Sequence, residues 1–526
     1  MIEGLLHLKT SSLIHHRLWW IVAILWGLWA VRAHNILAMP IFVDESLHMI
    51  RAQLVFEFTD AKASFLLAKL LLYYYLGLFA PQDVGGAWVS RQAIALLVPL
   101  SAALSYRLAV MLFKRPNIGF ITIGLGSLLP FYIFFERMAL ADPFALVFCI
   151  IVAILAYRLA LKPSYRFAYL TGLALGFAML AKLTSAPLIA LPPLAAYLFG
   201  RWHWRQYWQY GWRVGLITFL CLLPSLSYMA YQELNPPESK VEAVEQDLFT
   251  PANRGRLEQI AHNIDKYVEA SRAMFTDPLL ILILFAILWQ SFRTPRITLY
   301  LLAFTLLIWL PITLTSARPS TRYLVNGVPG VLIIGAAALY DWWQLLQFSQ
   351  QYMRNLGRVV LAIATILLLV WASRSLNFIY DAWQNPEQLA LAERDIWEYY
   401  QNTAAGYPLQ EVAIDVQELP PLIDHPSGHP IPIAGFVGSC HAMRWYLPAH
   451  SGVLLECPYW RWSPERADAI LQAWEDRVKA DQVWYFLADA EQPMDVYSLD
   501  LNFETIKVYE RPHNGIPVTL MRVTSK

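Results

Sequence analysis

Apolar residues in this chain fall in long blocks rather than stripes. A bilayer core about 30 Å thick needs ~20 apolar residues per crossing helix. Blocks of that kind lie near 18–38, 88–113, 117–135, 143–161, 167–182, 184–200, 211–231, 277–292, 297–315, 321–344 and 358–374, which predicts eleven transmembrane helices. Past residue 374 the pattern changes to short strand-like runs. These lie at Glu411–Val416, Ile431–Val437, Gly452–Glu456, Gln482–Leu487, Phe503–Tyr509 and Pro517–Val523, with helices near 386–403 and 464–479. Ser463-Pro464 supplies an N-cap and first-turn pair for the second helix. The expected organisation is a membrane domain over 1–374 and a soluble α/β domain over 375–526.

The stretch Ala63–Ala80 is long enough to cross but carries Lys69 and the run Tyr73-Tyr74-Tyr75. Loop charge decides its reading, because cytoplasmic loops collect Lys and Arg. If the stretch does not cross, Lys9/Arg17, Lys114-Arg115, Arg158/Lys162/Arg166, Arg201/Arg205/Arg213, Arg293/Arg296 and Arg354/Arg358 all share one side. That side is then cytoplasmic, together with the N-terminus. The tyrosine stretch becomes an interfacial or re-entrant helix. The outer side receives the loop Met39–Ala87, the turn Glu136–Asp142, an acidic loop Gln232–Thr276 and the C-terminal domain.

Composition agrees with a membrane protein: 57% of residues are hydrophobic and 15% charged, against about a quarter charged in soluble domains. The net charge of +1 says nothing about partners, and no basic arm or Lys/Arg cluster suggests nucleic acid. The first apolar block ends at Ala38-Met39-Pro40 without a small-x-small cleavage site, so it reads as a retained span. Of four cysteines, Cys149 and Cys221 lie in apolar blocks. Cys440 and Cys457 lie in the C-terminal domain, where two readings stand: a disulfide in an oxidising compartment, or two free thiols.

Against this apolar background a few charges stand out. Asp44-Glu45 follow the first block, and a carboxylate there is placed to take a proton from an attacking hydroxyl. Their plain structural reading is acidic residues in a helix first turn. His48 lies one turn on. Glu136-Arg137 and Asp142 occupy a tight turn, whose plain reading is polar punctuation. Lys182 is the lone charge between Leu170 and Phe199, at the tip of a predicted hairpin. Arg318 and Arg322-Tyr323 open a later block, and the planar fork of arginine suits phosphate. For Lys182 and the arginines, snorkelling to headgroups is the alternative. With Lys69, these acids and cations all map to the outer face, as a lipid phosphate substrate requires.

In order and spacing these residues resemble the GT-C superfamily of membrane glycosyltransferases, on its protein O-mannosyltransferase and aminoarabinose transferase branch. The first-loop acidic pair of that group is matched by Asp44-Glu45. Its Lys/His-Pro-Pro-Leu-Tyr-Tyr segment is matched by Lys69-Leu70-Leu71-Leu72-Tyr73-Tyr74, without the prolines. Its Ala-Arg-x-x-x-x-Asp is matched by Glu136-Arg137 leading to Asp142. Its hairpin Thr-Lys is matched by Ala181-Lys182, and its late Arg-Tyr-Leu by Arg322-Tyr323-Leu324. The resemblance spans about 18–345. It implies transfer of a sugar from a polyprenyl-phosphate donor to an acceptor outside the cytoplasm, with inversion. It also implies Asp44 as general base with Glu45 beside it, and Asp142 orienting a substrate. Lys69, Arg137, Lys182 and Arg322 would hold the donor phosphate. No nucleotide is needed, and no glycine-rich nucleotide motif is present.

A transporter or flippase of a lipid-linked or sugar-like substrate is the main alternative. It predicts repeats and acids deep within spans, whereas the charges here gather at one face. An O-antigen ligase or polymerase shares the donor but not these motifs, and a scaffold leaves Lys182 without a purpose. A divalent metal on Asp44, Glu45 and His48 is open on residue type. His425, His429, His441 and His450 are scattered and read as surface residues.

Overall fold

The structure is a computed structural model. It describes residues 19–526 apart from 20, 59–60, 66, 68, 82–84, 236–254, 348–349, 420–430, 449–450, 459–463, 482 and 490–494. His425, His429, His450 and Ser463 lie outside the described residues. Two compact units result. One holds residues up to Ile36 with Asp60–Leu72 and Arg91–Gln384; the other holds Leu37–Thr59, Tyr73–Ser90 and Asn385–Lys526. The second unit therefore includes most of the first outer loop, which the 1–374/375–526 division assigns to the membrane domain.

Among the described residues, seven helices are long and apolar enough to cross a membrane: Gly85–Phe113, Ala141–Leu161, Leu183–Gly200, Trp204–Leu234, Pro295–Thr315, Thr321–Leu345 and Gln351–Gln384. Three further blocks form shorter apolar helices, Ile21–Ala33, Pro116–Leu128 and Tyr165–Ala181. The remaining block is Asp277–Arg293, the second limb of a pair bent by 105° whose first limb is Arg256–Phe275. Each of the eleven predicted blocks thus lies on an apolar helix. The first limb is a correction: the acidic loop Gln232–Thr276 contains a 20-residue helix. The tyrosine stretch forms two short helices, Ala61–Phe65 and Leu70–Gly77, both too short to span a bilayer.

The most buried membrane helices are Thr321–Leu345 and Ala141–Leu161, with 89% and 72% of their apolar windows buried. Helices apolar all round belong at the centre of such a bundle. Gly330 allows the close approach that this requires. A Cβ there would meet Thr305 Oγ1 at 2.4 Å and the Leu301 carbonyl oxygen at 2.6 Å.

The second unit is built on a five-stranded mixed sheet. Its strands are β1 (Ile431–Phe436), β2 (Val453–Glu456), β3 (Val483–Asp489), β4 (Leu501–Arg511) and β5 (Gly515–Ser525). Their order is β2-β1-β3-β5-β4, with β1 parallel to β2 and β3, and β5 antiparallel to β3 and β4. Alternate residues serve opposite faces. Ile433, Tyr485 and Leu520 enter one apolar cluster, while Ala434, Phe486 and Met521 enter the other. Helix Pro464–Asp481 supplies Leu471 and Trp474 to the second cluster. Cys440 and Cys457 form a disulfide.

Two sequence expectations need correction here. Glu411–Val416 is not a strand but part of the helix Leu409–Asp415. Its buried residues Leu409, Val412, Ala413 and Val416 follow helical spacing, and Ile414, which an alternating strand would bury, is exposed. The helix expected over 386–403 is broken into a 3₁₀ turn at Pro386–Gln388, a short α-helix at Glu393–Ile396 and a π-turn at Trp397–Gln401.

Candidate functional site

The predicted site residues separate into three groups, two in the membrane unit and one in the sheet-containing unit.

The first group surrounds Lys182. Helix Tyr165–Ala181 ends at this residue, and a 3₁₀ helix, Leu183–Ala190, starts immediately after it. Lys182 is therefore fixed at the tip of the predicted hairpin. It is 6% exposed and pairs directly with Asp142, which is 2% exposed. Asp142 sits in the first turn of Ala141–Leu161, where the helix dipole favours an anion. The Lys182 ammonium also lies 4.4 Å from the centre of the Tyr323 ring, and the Arg322 guanidinium lies 5.5 Å from the same ring. The charges of Arg322 and Lys69 both repel that of Lys182. Four sequence-predicted residues, Asp142, Lys182, Arg322 and Tyr323, are thus brought together, with Lys69 within their field. Arg318 is exposed and leads into the turn.

The turn carrying Arg322 and Tyr323 is a 3₁₀ helix, Thr321–Gly327. Trp309 donates its indole N–H to the Leu324 carbonyl at 2.7 Å, and Thr305 donates to the Gly327 carbonyl at 2.8 Å. These bonds pin the turn to helix Pro295–Thr315. Asn326, four residues after Arg322, is 1% exposed and its side-chain amide has no hydrogen-bond partner among the described residues. An orphaned buried polar group costs about 1–3 kcal/mol, which marks Asn326 as a candidate contact for a bound group. Sequence reading missed it because a single Asn beside an apolar block carries no signal.

The second group contains Glu136 and Arg137. Glu136 accepts from Arg32 Nε at 3.0 Å, and Arg32 also donates to the Ser127 and Gly126 carbonyls at 2.7 and 3.0 Å. Arg137 donates to the carbonyls of Arg32, His34, Asn35 and Ala382, at 3.1, 2.8, 2.8 and 3.1 Å. It braces the end of the first helix to the end of the last membrane helix. Its fork is engaged by backbone carbonyls. Arg32 was legible as a lone charge inside the first apolar block.

The third group lies in the sheet-containing unit. Asp44 and Glu45 occupy the first turn of helix Val43–Leu54. Glu45 is fully buried and its carboxylate accepts from the Phe42 N–H at 3.2 Å, capping the helix. Asp44, beside it, is half-buried. His48 is 2% exposed, with its ring 5.9 Å from that of Tyr73. Tyr73 accepts a hydrogen bond from Arg51 at 2.7 Å, and Tyr74 packs edge-on to Phe56 at 5.3 Å. The helix is mounted on the C-terminal part of its unit. The Ile41 N–H donates to Tyr446 Oη at 2.7 Å and the Val43 N–H to the Ala404 carbonyl at 3.2 Å. Ile41 and Met49 join the apolar cluster on one face of the sheet. The C-terminal domain thereby positions the acidic pair, a role that its sequence did not disclose.

Among the described residues, no three His, Cys, Asp or Glu side chains converge as a metal ion would need. Asp44, Glu45 and His48 share a helix without forming such a cluster.

A helical membrane unit and a mixed C-terminal sheet make up the fold. Two solved structures share it. One is ArnT from Cupriavidus metallidurans bound to undecaprenyl phosphate, with a TM-score of 0.57 and 14% identity over 96% of this chain and 98% of that one. The other is ArnT from Cupriavidus metallidurans in the apo state, with a TM-score of 0.55 and 15% identity over the same shares of the two chains. No family model matches the chain, and no curated protein sequence matches it.

Proposed function

We propose that this chain is a membrane glycosyltransferase that moves a sugar from a polyprenyl-phosphate donor to an acceptor outside the cytoplasm. The observation that carries this reading is the concentration of positive charge at Lys182. Buried Lys182 pairs with Asp142, and the charges of Arg322 and Lys69 also act on it. Charge of this sign in an apolar bundle is suited to a lipid-borne phosphate. Two ArnT structures share the fold, and one is bound to undecaprenyl phosphate.

The roles follow from the chemistry. The acceptor hydroxyl attacks the anomeric carbon and gives up its proton, while the bond from that carbon to the phosphate oxygen breaks. The carrier leaves as polyprenyl phosphate and configuration inverts. Lys182 and Arg322 take up the negative charge that develops on the leaving phosphate, with Lys69 adding to the field. Asp142 holds the Lys182 ammonium in place. Asp44 accepts the proton, since Glu45 is engaged in capping its helix. The distribution of basic loops supports an N-terminus in the cytoplasm and this chemistry at the outer face of the inner membrane.

The test is transfer by the purified full chain, with labelled polyprenyl-phosphate sugars and a panel of protein, lipid and glycan acceptors. Asp44→Asn is expected to lower kcat by about 10²–10⁴-fold, the usual worth of a general base. Undiminished transfer by that variant removes Asp44 from the role. Transport of the donor without any transfer favours the flippase reading instead.

A further inference from the structure

The helix Arg256–Phe275 presents three distinct faces. At about 100° per residue, Gln259, Asn263, Tyr267, Ala270 and Met274 form one row, and all five are buried. Leu257, Ala261, Ile264 and Val268 form a second row about 130° away by the same spacing. This row is apolar and exposed, with Leu257 at 84%, Ile264 at 51% and Val268 at 52%. Glu258, Asp265, Lys266 and Glu269 form a third, charged row, with Lys266 and Glu269 paired at 3.0 Å.

The buried row grips the end of another membrane helix. Gln259 donates to the Ala317 carbonyl at 3.2 Å, and Asn263 donates to the Thr313 and Ser316 carbonyls at 3.0 and 2.8 Å. These carbonyls lie at and just beyond the C-terminal end of Pro295–Thr315, where intrahelical donors run out. The helix is thus seated on the bundle by amides that satisfy otherwise orphaned groups. It then turns by 105° into the span Asp277–Arg293. The corner is Thr276, at a φ of 60°, and Arg272 and Asp277 bridge it at 2.8 Å.

We infer that Arg256–Phe275 lies in the membrane interface, with Leu257, Ala261, Ile264 and Val268 inserted among the lipids at the headgroup level. A segment bent by 105° from a crossing helix runs close to the membrane plane. Lying there against a bundle, it meets protein on one side, acyl chains beneath and water above, and its three rows match those three surroundings. The apolar row continues the exposed belt of the adjoining span, in which Leu284, Phe285 and Leu288 are 55–60% exposed. The partner is a lipid surface, and this assignment does not depend on the sugar-transfer reading.

The test uses the full chain with Cys149→Ala and Cys221→Ala, reconstituted in phosphatidylcholine nanodiscs. Single cysteines at Leu257, Ile264 and Val268, and at Glu258 and Asp265, carry an environment-sensitive fluorophore. The discs contain lipids doxyl-labelled either near the headgroup or at the chain end. At the three apolar positions, emission is expected to shift to the blue and to be quenched several-fold more by the shallow label than by the deep one. At the two acidic positions, aqueous iodide is expected to quench and neither lipid label to do so. All five side chains are on the exposed surface, so labelling leaves the core intact, and a retained elution profile checks this. Iodide quenching of the apolar row equal to that of the acidic positions overturns the proposal. Stronger quenching by the deep label, or shielding from both iodide and lipid labels as a protein partner would give, overturns it as well.

Discussion

The turn Glu136–Asp142 of the membrane unit carries two sets of buried charges that look alike in sequence and differ in how they are held. At Glu136-Arg137 the contacts tie helix ends together: Glu136 to Arg32, and Arg137 to five backbone carbonyls. At Asp142, six residues on from Glu136, the acid meets Lys182, and Lys182 in turn stands in the field of Arg322 and Lys69. One set fastens helix ends, with the Arg137 fork spread over backbone carbonyls. The other gathers Asp142, Lys182 and Arg322 around the Tyr323 ring. Burial alone does not separate architecture from chemistry here, because Glu136 and Asp142 are both 2% exposed. The kind of neighbour does: backbone carbonyls take up the Arg137 fork, whereas Lys182 meets a carboxylate and an aromatic ring.

Substitutions sharpen this contrast. The largest expected effect is on transfer: Lys182→Met lowers kcat by about 10²–10³-fold, as loss of a leaving-charge stabiliser does. This variant also leaves buried Asp142 without its pair, so its melting temperature should fall too. Next is Arg32→Met, which leaves Glu136 buried without its pair and is expected to cost about 3–5 kcal/mol of stability. Its transfer rate per folded molecule should be close to that of the parent. Melting curves and single-turnover rates on the same preparations separate the two variants, and the comparison fails if the profiles exchange places.

The smallest effect belongs to the sheet-containing unit. Burial, and then the Arg444 charge, hold the His441 imidazole below its ordinary range. The unfolded chain therefore binds that proton more readily than the folded one. The stability tied to neutral His441 is complete above about pH 6.5, the unfolded value. It is lost progressively as pH falls from there toward the depressed folded value. His441→Phe should flatten that part of the stability–pH curve, read by thermal unfolding between neutral and mildly acidic pH.

How much of this was legible depended on the kind of signal. Apolar blocks are long and redundant, so all eleven predicted blocks fall on helices. The five strands of the sheet were visible through their short apolar runs. Glu411–Val416 misled because β-branched residues suggested a strand, while the spacing of Leu409, Val412, Ala413 and Val416 was helical. The helix Arg256–Phe275 was hidden because its charged and polar rows keep it from forming an apolar block of membrane-spanning length. Of the candidate site, the motif order singled out Asp142, Lys182 and Tyr323, but not that Asp142 pairs with Lys182 or that Tyr323 approaches it. What sequence could not give was the division of labour between adjacent residues. Glu45 caps its helix and Arg137 grips carbonyls, and nothing in residue type foretells either.

The central claim is that the cations around Lys182 hold a lipid-borne phosphate. The most direct measurement is binding of undecaprenyl phosphate and of undecaprenol, the same chain without phosphate, to the purified protein by native mass spectrometry. The account predicts that undecaprenyl phosphate binds the parent protein well above undecaprenol, and that Lys182→Gln and Arg322→Gln each remove this preference while Arg137→Gln keeps it. Equal binding of the two lipids by the parent, or an undiminished preference in Lys182→Gln, would contradict it.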